Sequence, residues 1–257
     1  MSFDLAGVVL AAGSGTRLAP LTLELPKAMC PVGGVPLVER AIAHLSSVSA
    51  AAAIEIAVNA HGSQRALIDH LDGRVRLSIE DPDVLGTGGA LARLSRWIDA
   101  RPVCLVNADA VHDADLRAFV DSWDHERHHF LLAGTDDFAP GVRLCAVLMP
   151  ARSLSTLVDD GRAASVYDEI WKPAASQQRV SARRHDGAWF DCGTPRRYLD
   201  ANLWASGGAS VVGDGAVVDG EIERSVVWAN AKVHKSERLV DAIRTMHGLT
   251  VLVRTRA

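Results

Sequence analysis

The chain lacks the features that mark most specialised protein classes. Its four cysteines, Cys30, Cys104, Cys145 and Cys192, are scattered and never form C-x-x-C. That argues against a disulfide framework or a zinc site and fits reduced thiols in a cytoplasmic setting. No apolar stretch approaches the ~20 residues that a membrane span requires. No signal peptide is expected, because acidic Asp4 precedes only a short apolar run that breaks at Gly13-Ser14-Gly15. A basic block is missing too, and the net charge is −4, which argues against general nucleic-acid binding through phosphates. What remains is a globular composition, 257 residues with 48% apolar and 23% charged. That length suffices for one sizeable domain plus an appendage.

The pattern along the chain points to an α/β fold, a Rossmann-like, mostly parallel sheet flanked by helices. Val8-Val9-Leu10 reads as a buried strand cut off by the glycine-rich turn Ala11-Ala12-Gly13-Ser14-Gly15-Thr16-Arg17. Helical spacing follows over 36–45, strand alternation over 54–58, a helix over 62–71 and a strand over 75–79. Alternation of strands and helices marks a parallel sheet. Leu85-Gly86-Thr87-Gly88-Gly89-Ala90 forms a second glycine-rich turn, leading into a helix that runs to residue 98. The continuous apolar run 103–106 is typical of a central parallel strand and ends in Asn107-Ala108-Asp109. Ligands in such sheets sit at the carboxyl ends of strands, where Asp109 falls. A helix over 114–125, strands over 130–133 and 144–149, a helix starting over 154–158 and another over 166–171 are expected next. A short aromatic strand then carries Asp191, and Thr194 caps a helix over 195–203 with Pro195 in its first turn.

Composition breaks at 206–210, dividing the chain into an expected catalytic domain, 1–205, and a tail, 206–257. In the tail Val212 and Val218 lie six apart, with Ala216 and Ile222 four residues after each, and the spacing resumes at Val227, Val233 and Leu239. Six-residue periodicity reads as the hexapeptide coils of a short left-handed β-helix. An ordinary meander of strands is the alternative.

The first loop carries the chemistry. Its third dinucleotide-fingerprint position is Leu18 rather than glycine, no acidic ribose ligand follows at the expected distance, and no G-K-[ST] makes it a Walker A loop. Two fixed cations, Arg17 and Lys27, instead accompany a nest of backbone N–H groups, a combination suited to binding a triphosphate. One decoy is rejected. His125-Glu126-Arg127-His128-His129 satisfies H-E-x-x-H, but the expected helix ends near His125 and His129 opens an apolar run, so the two histidines do not share a helix face.

The run from Leu10 to Leu18, together with Leu25-Pro26-Lys27-Ala28-Met29, closely resembles the opening of the sugar-1-phosphate nucleotidylyltransferases. The second glycine-rich turn, the strand ending at Asp109, Trp189-Phe190-Asp191-Cys192-Gly193-Thr194-Pro195-x-x-Tyr198-x-x-Ala201-Asn202 and the periodic tail match in the same order. The mannose-1-phosphate and heptose-1-phosphate guanylyltransferases and the N-acetylmuramate-1-phosphate uridylyltransferases are similar in flavour. The resemblance implies one in-line displacement, in which a sugar 1-phosphate attacks the α-phosphorus of a nucleoside triphosphate and pyrophosphate leaves. It assigns Ala11, Ala12, Gly13, Ser14, Gly15, Thr16, Arg17, Lys27 and Gly88 to the nucleotide. Arg17, Lys27 and Asp109 take the catalytic roles, and Asp109 with Asp191 holds Mg²⁺. The carboxylate pair also stands on its own chemistry, since Mg²⁺ is usually held by one or two carboxylates plus substrate phosphates. Asp109 and Asp191 each end a predicted buried strand.

Two departures from the family bear on the sugar. Ala108 stands where the family has glycine, and a Glu-Lys-Pro hairpin common in relatives is replaced by the brief link 134–140. Asn107, Glu169 and Lys172 are therefore the candidate sugar contacts, with a solvated helix face as the alternative for the last two. GTP is the expected nucleotide and UTP, with an amino-sugar 1-phosphate, its rival; a catalytically silent, nucleotide-sugar-binding regulator is the competing class. A homodimer or higher homo-oligomer is expected, with the tail aiding assembly.

Overall fold

A computed structural model describes residues 4–50 and 52–253; the outermost ends of the two expected domains lie outside them. The chain forms two compact units, Met1–Gly13 with Ala41–Trp189 and Ser14–Arg40 with Phe190–Ala257.

The first unit is built on β1 (Asp4–Leu10). Downstream of it come the hairpin strands β2 (Pro31–Val32) and β3 (Val35–Pro36), which belong to the second unit, and then α1 (Leu37–Ser46). The chain continues through β4 (Ala53–His61), α2 (Arg65–Leu71), β5 (Arg76–Glu80) and α3 (Gly86–Ile98). Next are β6 (Val103–Asn107), β7 (Ala110–His112), α4 (Leu116–Asp121), β8 (His128–Ala133) and β9 (Leu144–Met149). A π-helical turn (Tyr167–Trp171) runs into α5 (Lys172–Ser176), followed by β10 (Val180–His185). Seven strands form one sheet in the order β10-β8-β9-β6-β1-β4-β5. Every pairing in it is parallel except those of β9 with β6 and β8, so the sheet is mostly parallel, as the alternating pattern predicts. Val8, Ala57, Leu105, Phe130 and Val147 pack with Leu91, Leu94, Ile98 and Ile170 in its core.

The differences from the sequence reading have local causes. The stretch 86–90 is the start of α3 itself rather than a turn before it. A Cβ on Gly86 (φ +67°) would lie 2.6 Å from the Ala164 oxygen, and one on Gly88 3.1 Å from the Ala164 carbonyl carbon; the glycines admit the 162–166 backbone against the helix. The helix expected over 114–125 spans only Leu116–Asp121: Asp115 caps it by accepting from the Ala118 N–H (3.0 Å), and an Asp124 turn that accepts from Glu126 and Arg127 N–H (both 2.9 Å) follows. The helix expected to start over 154–158 is a short 3₁₀ turn, Ala151–Leu154. Strand β10 has no counterpart in the sequence reading. It lies at the sheet edge and alternates only weakly, with Arg183 and Arg184 exposed, as suits an edge that must not recruit other strands. His129 lies on β8 and stacks on Phe119 (4.8 Å), while His125 sits in the preceding turn at φ 62°. That places the H-E-x-x-H pattern across a turn and a strand.

The second unit holds α6 (Pro195–Ala205), which follows β11 (Trp189–Asp191). Thr194 accepts from the Arg197 N–H (3.4 Å) as the expected N-cap. Two buried motif residues fasten α6: the Tyr198 hydroxyl donates to the Pro31 carbonyl and accepts from Trp228 Nε1 (3.0 Å), and Asn202 Oδ1 accepts from the Gly33 N–H (3.0 Å). Eight short strands follow: β12 (Val211–Val212), β13 (Val217–Val218), β14 (Glu221–Glu223), β15 (Val226–Val227), β16 (Lys232–Val233), β17 (Arg238–Val240), β18 (Ala242–Arg244) and β19 (Thr250–Leu252). They form parallel ladders β12-β15-β18, β13-β16 and β14-β17, with β19 antiparallel at the end. Paired residues are 15 or 17 apart, as in Val211 with Val226 and Ile222 with Leu239, so the offset is not a whole number of six-residue steps. Val227, Val233 and Leu239 are buried together, with Val218, Ile222 and Ala216 packed on them, whereas Val212 is 48% exposed.

Two buried histidines of the first unit make folding sensitive to acid. Burial pushes His112 down to about 3, with repulsion from His44 and His185 adding to it, and burial beside Arg152 and Arg179 pushes His128 to about 4. Both are neutral when folded and take up protons in the unfolded chain below its ordinary value of about 6.5. Stability is thus complete above that pH and is lost progressively as pH falls from it toward the folded values of about 3 and 4. Urea unfolding at pH 7.5 and 5.5 is expected to show a loss of up to about 3 kcal/mol; equal midpoints would contradict it.

Candidate functional site

In the first unit the site begins where β1 stops. Leu10 pairs with Asn107, the last residue of β6, and the Ala108 N–H donates back to the Leu10 carbonyl (3.0 Å). The loop 11–13 and the turn carrying Asp109 therefore leave the sheet side by side at the carboxyl ends of two central strands. Asn107 and Asp109 thus lie at the same end of the sheet as residues 11–13. Ala108 is buried, so its methyl packs within the protein.

Three polar residues that sequence reasoning passed over shape this end of the sheet. Gln64, just before α2, donates from Nε2 to the carbonyls of Ala11 (3.1 Å) and Gly13 (3.3 Å), and its Oε1 accepts from the His61 N–H (2.8 Å). Asn59 on β4 accepts from the Ala11 N–H (2.6 Å) and donates to Glu80 on β5 (2.7 Å). Glu80 also accepts from the Leu85 N–H (2.7 Å). Asn59 and Glu80 lie at or near carboxyl strand ends, the same signal that singles out Asp109, so that rule applied to every strand would have found them. At the head of α3, Gly88 donates its N–H to the Ala164 carbonyl (2.8 Å). The Gly88 N–H is therefore engaged within the protein.

Glu169 and Lys172 do not join this group. Glu169 lines a cleft of about 250 Å³ with His128 and Arg179, which stand at the amino-terminal starts of β8 and β10. Because β8 and β10 run parallel to β6, that cleft is at the opposite end of the sheet from Asp109. Lys172 is exposed at the start of α5. The link 134–140 instead folds Phe138 onto Phe130 (4.3 Å) and Tyr167 (6.1 Å).

In the second unit, the loop 14–27 is a run of short 3₁₀ turns, Thr16–Leu18, Leu21–Leu23 and Lys27–Met29. Gly15 sits at φ +65°, and a Cβ there would meet Lys27 Cβ at 2.8 Å and Thr22 Cγ2 at 3.0 Å. Glycine lets the Lys27 stem lie flat on the loop. Lys27 Nζ is 4.0 Å from Asp191 Oδ1, both largely buried, and Arg197 Nη1 donates to Asp191 Oδ2 at 2.8 Å. The space above Gly193 is bounded by Asp191 Oδ1 and Arg17 Nη2, at 2.6 and 3.1 Å from a Cβ built there. Three cations thus gather around one carboxylate, and the third, Arg197, comes from the first turn of α6, where its sequence context suggests only helix. An excess of positive charge facing an exposed loop can neutralise phosphate oxygens.

The Asp191 carboxylate is a hard oxygen donor, of the kind Mg²⁺ takes and softer metals do not favour. Asp191 Oδ1 lies beyond hydrogen-bond distance of Lys27, so the pair does not consume it. Among the described residues no cluster of three or more His, Cys, Asp or Glu could hold a metal. Hard oxygens in ones and twos are what Mg²⁺ uses alongside phosphates. None of the four buried cysteines is in a disulfide, and burial pushes the thiols of Cys30, Cys104 and Cys145 up to about 12, which keeps those three protonated and inert.

Known proteins resemble this chain in sequence and in fold. The N-acetylmuramate α-1-phosphate uridylyltransferase of Caulobacter vibrioides is 28% identical over 230 residues, covering 76% of this chain and 94% of that protein. The mannose-1-phosphate guanylyltransferase of Mycobacterium tuberculosis is 36% identical over 120 residues, covering 44% of this chain and 32% of its own. A solved UDP-glucose pyrophosphorylase complexed with UDP-glucose superposes with a TM-score of 0.65 at 17% identity, covering 80% of this chain and 99% of that one; at that identity the likeness is one of fold. Residues 7–180 match the MobA-like NTP transferase domain, more than half of the sequence, and the chain belongs to that family.

Proposed function

We propose that this enzyme transfers a nucleotidyl group from a nucleoside triphosphate to a sugar 1-phosphate. The observation that carries the reading is the Arg17, Lys27 and Arg197 cluster around Asp191, beside a glycine-dependent loop. An oxygen of the sugar phosphate attacks the α-phosphorus, the bond to the β-bridging oxygen breaks, and pyrophosphate leaves with the electron pair. No protein nucleophile is required, so rate comes from positioning and charge neutralisation. The backbone of residues 13–16 supplies donors to the triphosphate, Arg17 meets the leaving pyrophosphate, and Lys27 neutralises the reacting phosphates. Asp109 and Asp191 are the carboxylates assigned to Mg²⁺, which when bound supplies a hard positive charge to phosphate oxygens. Asn107 is retained as a sugar contact, since it leaves the sheet beside the first loop.

For the substrates, the reading is UTP with an N-acetylated amino-sugar 1-phosphate. Its support is extent: the likeness to the Caulobacter uridylyltransferase runs over 94% of that protein, whereas the likeness to guanylyltransferases covers 32% to 62% of theirs. GTP with a mannose-like 1-phosphate, the expectation from sequence, is the second reading, supported by the higher local identity. The parallel ladders of the tail support a short β-helical stack that aids self-assembly.

Pyrophosphate release measured with four NTPs and a panel of sugar 1-phosphates, with and without Mg²⁺, tests this. Turnover with UTP and an amino-sugar phosphate is expected. Absence of turnover with every pair, together with tight nucleotide-sugar binding, would establish a silent regulatory protein instead.

A further inference from the structure

We infer that Asn59 and Glu80 form a positioning relay that ties the backbone at Ala11 to the backbone at Leu85 and so sets the nucleobase end of the triphosphate site. The inference rests on the reading that the first loop and the start of α3 receive the nucleotide. The relay is a chain of three short hydrogen bonds, from the Ala11 N–H to Asn59 Oδ1 (2.6 Å), from Asn59 Nδ2 to Glu80 Oε1 (2.7 Å), and from the Leu85 N–H to Glu80 Oε2 (2.7 Å). Asn59 is 4% exposed and Glu80 0%.

A buried carboxylate is costly unless it is paired or hydrogen-bonded, and among the described residues no lysine or arginine pairs with Glu80. Shape and apolar packing would be served as well by leucine or methionine. What the position needs is an acceptor on each side, and the directions of the bonds explain why. Both ends of the relay are backbone N–H groups, which only donate. One side chain must therefore accept at one end and donate inward, as an amide does. The other must accept twice, as a carboxylate does. Asn59 and Glu80 satisfy that rule. The connection is also selective in what it joins: β4 and β5 already pair through their backbones (Asn59 with Ser78, Ala60 with Ile79, His61 with Glu80), so the relay adds nothing to the sheet ladder. Its added effect is to join the loop after β1 to the residue that opens α3, which no ladder connects.

The bond directions make the test reciprocal. Glu80→Gln places an amide N–H₂ against either Asn59 Nδ2 or the Leu85 N–H, donor against donor. Asn59→Asp places a carboxylate against a carboxylate. The double variant N59D/E80Q restores every pair. In it the new carboxylate at position 59 accepts from the Ala11 N–H through one oxygen and from the new amide N–H₂ at position 80 through the other, while the amide oxygen at position 80 accepts from the Leu85 N–H. Each single variant is expected to raise KM and Kd for the NTP by about tenfold, the effect of one buried mismatch, with KM for the sugar 1-phosphate unchanged. The double variant should return NTP affinity to near that of the wild type. Nucleotide Kd by calorimetry, both KM values and the thermal midpoint are measured for all four proteins. Equal NTP affinity in E80Q and wild type, a double variant no better than the singles, or a fall in thermal midpoint without a change in NTP affinity would each overturn the relay while leaving the functional reading intact. Wild-type protein that binds no NTP overturns both. Should the single variants fail to fold, the double variant alone decides: a folded, NTP-binding N59D/E80Q supports the relay and an unfolded one overturns it.

Discussion

Asp109→Ala is expected to reduce Mg²⁺-dependent turnover by about 10³-fold or more, the scale of losing a group that organises charge at the reacting phosphates, while the protein stays folded. The fold is expected to survive because Asp109 sits in a turn two residues past β6 and is only half-buried. The neighbouring bond that anchors the turn, from the Ala108 N–H to the Leu10 carbonyl, involves no Asp109 side-chain atom. Steady-state pyrophosphate release, with circular dichroism and a thermal midpoint as controls, checks both halves. Wild-type turnover in the variant would remove Asp109 from the metal role, and a raised Mg²⁺ requirement at reduced rate would place it there.

The second large effect concerns Lys27. Lys27→Met keeps the stem that packs on Gly15 and removes the charge 4.0 Å from Asp191. A loss of about 10²–10³-fold in kcat is expected from removing one fixed cation from the transition state. Asp191 retains Arg197 at 2.8 Å, so its carboxylate is not abandoned and the thermal midpoint should move little. Lys27→Arg is not expected to rescue. The contact of 2.8 Å between the Lys27 stem and a Cβ position on Gly15 shows how closely the loop is packed there, and a planar fork cannot occupy the place of a compact ammonium group. Full activity in Lys27→Met would withdraw the charge-neutralising role.

Much of the candidate site is legible in the sequence because its signals are local. Gly13-Ser14-Gly15, Arg17 and Lys27 fall within one short stretch, and the need for glycine at φ +65° is a property of that turn alone. Asp109 and Asp191 stand out as carboxylates that end strands, and both strands are present. The sugar side is less legible. Glu169 and Lys172 are candidates by residue type, in place of the missing Glu-Lys-Pro hairpin, but which end of a sheet a helix reaches depends on the direction of the strands it covers. Arg197 escapes notice for a similar reason: along the chain it is one of two arginines in a helix turn, and only the path of the chain after β11 turns it onto Asp191.

The sequence by itself determined the alternation of strands and helices, the glycine-dependent first loop, the capped helix after Asp191 and the spacing of the buried tail residues. Each of these depends on residues within a few positions of one another, through backbone conformation, capping or periodic burial. Tertiary structure alone decided that β9 runs antiparallel among parallel strands, that β10 closes the edge, and that Asn59 and Gln64 converge on the first loop with Glu80 behind Asn59. Those pairings join residues 21 to 53 positions apart, and a polar side chain does not reveal along the chain which distant N–H or carbonyl it will meet. Burial makes such a choice necessary, since a polar group removed from water must find a partner, and only the folded sheet supplies one.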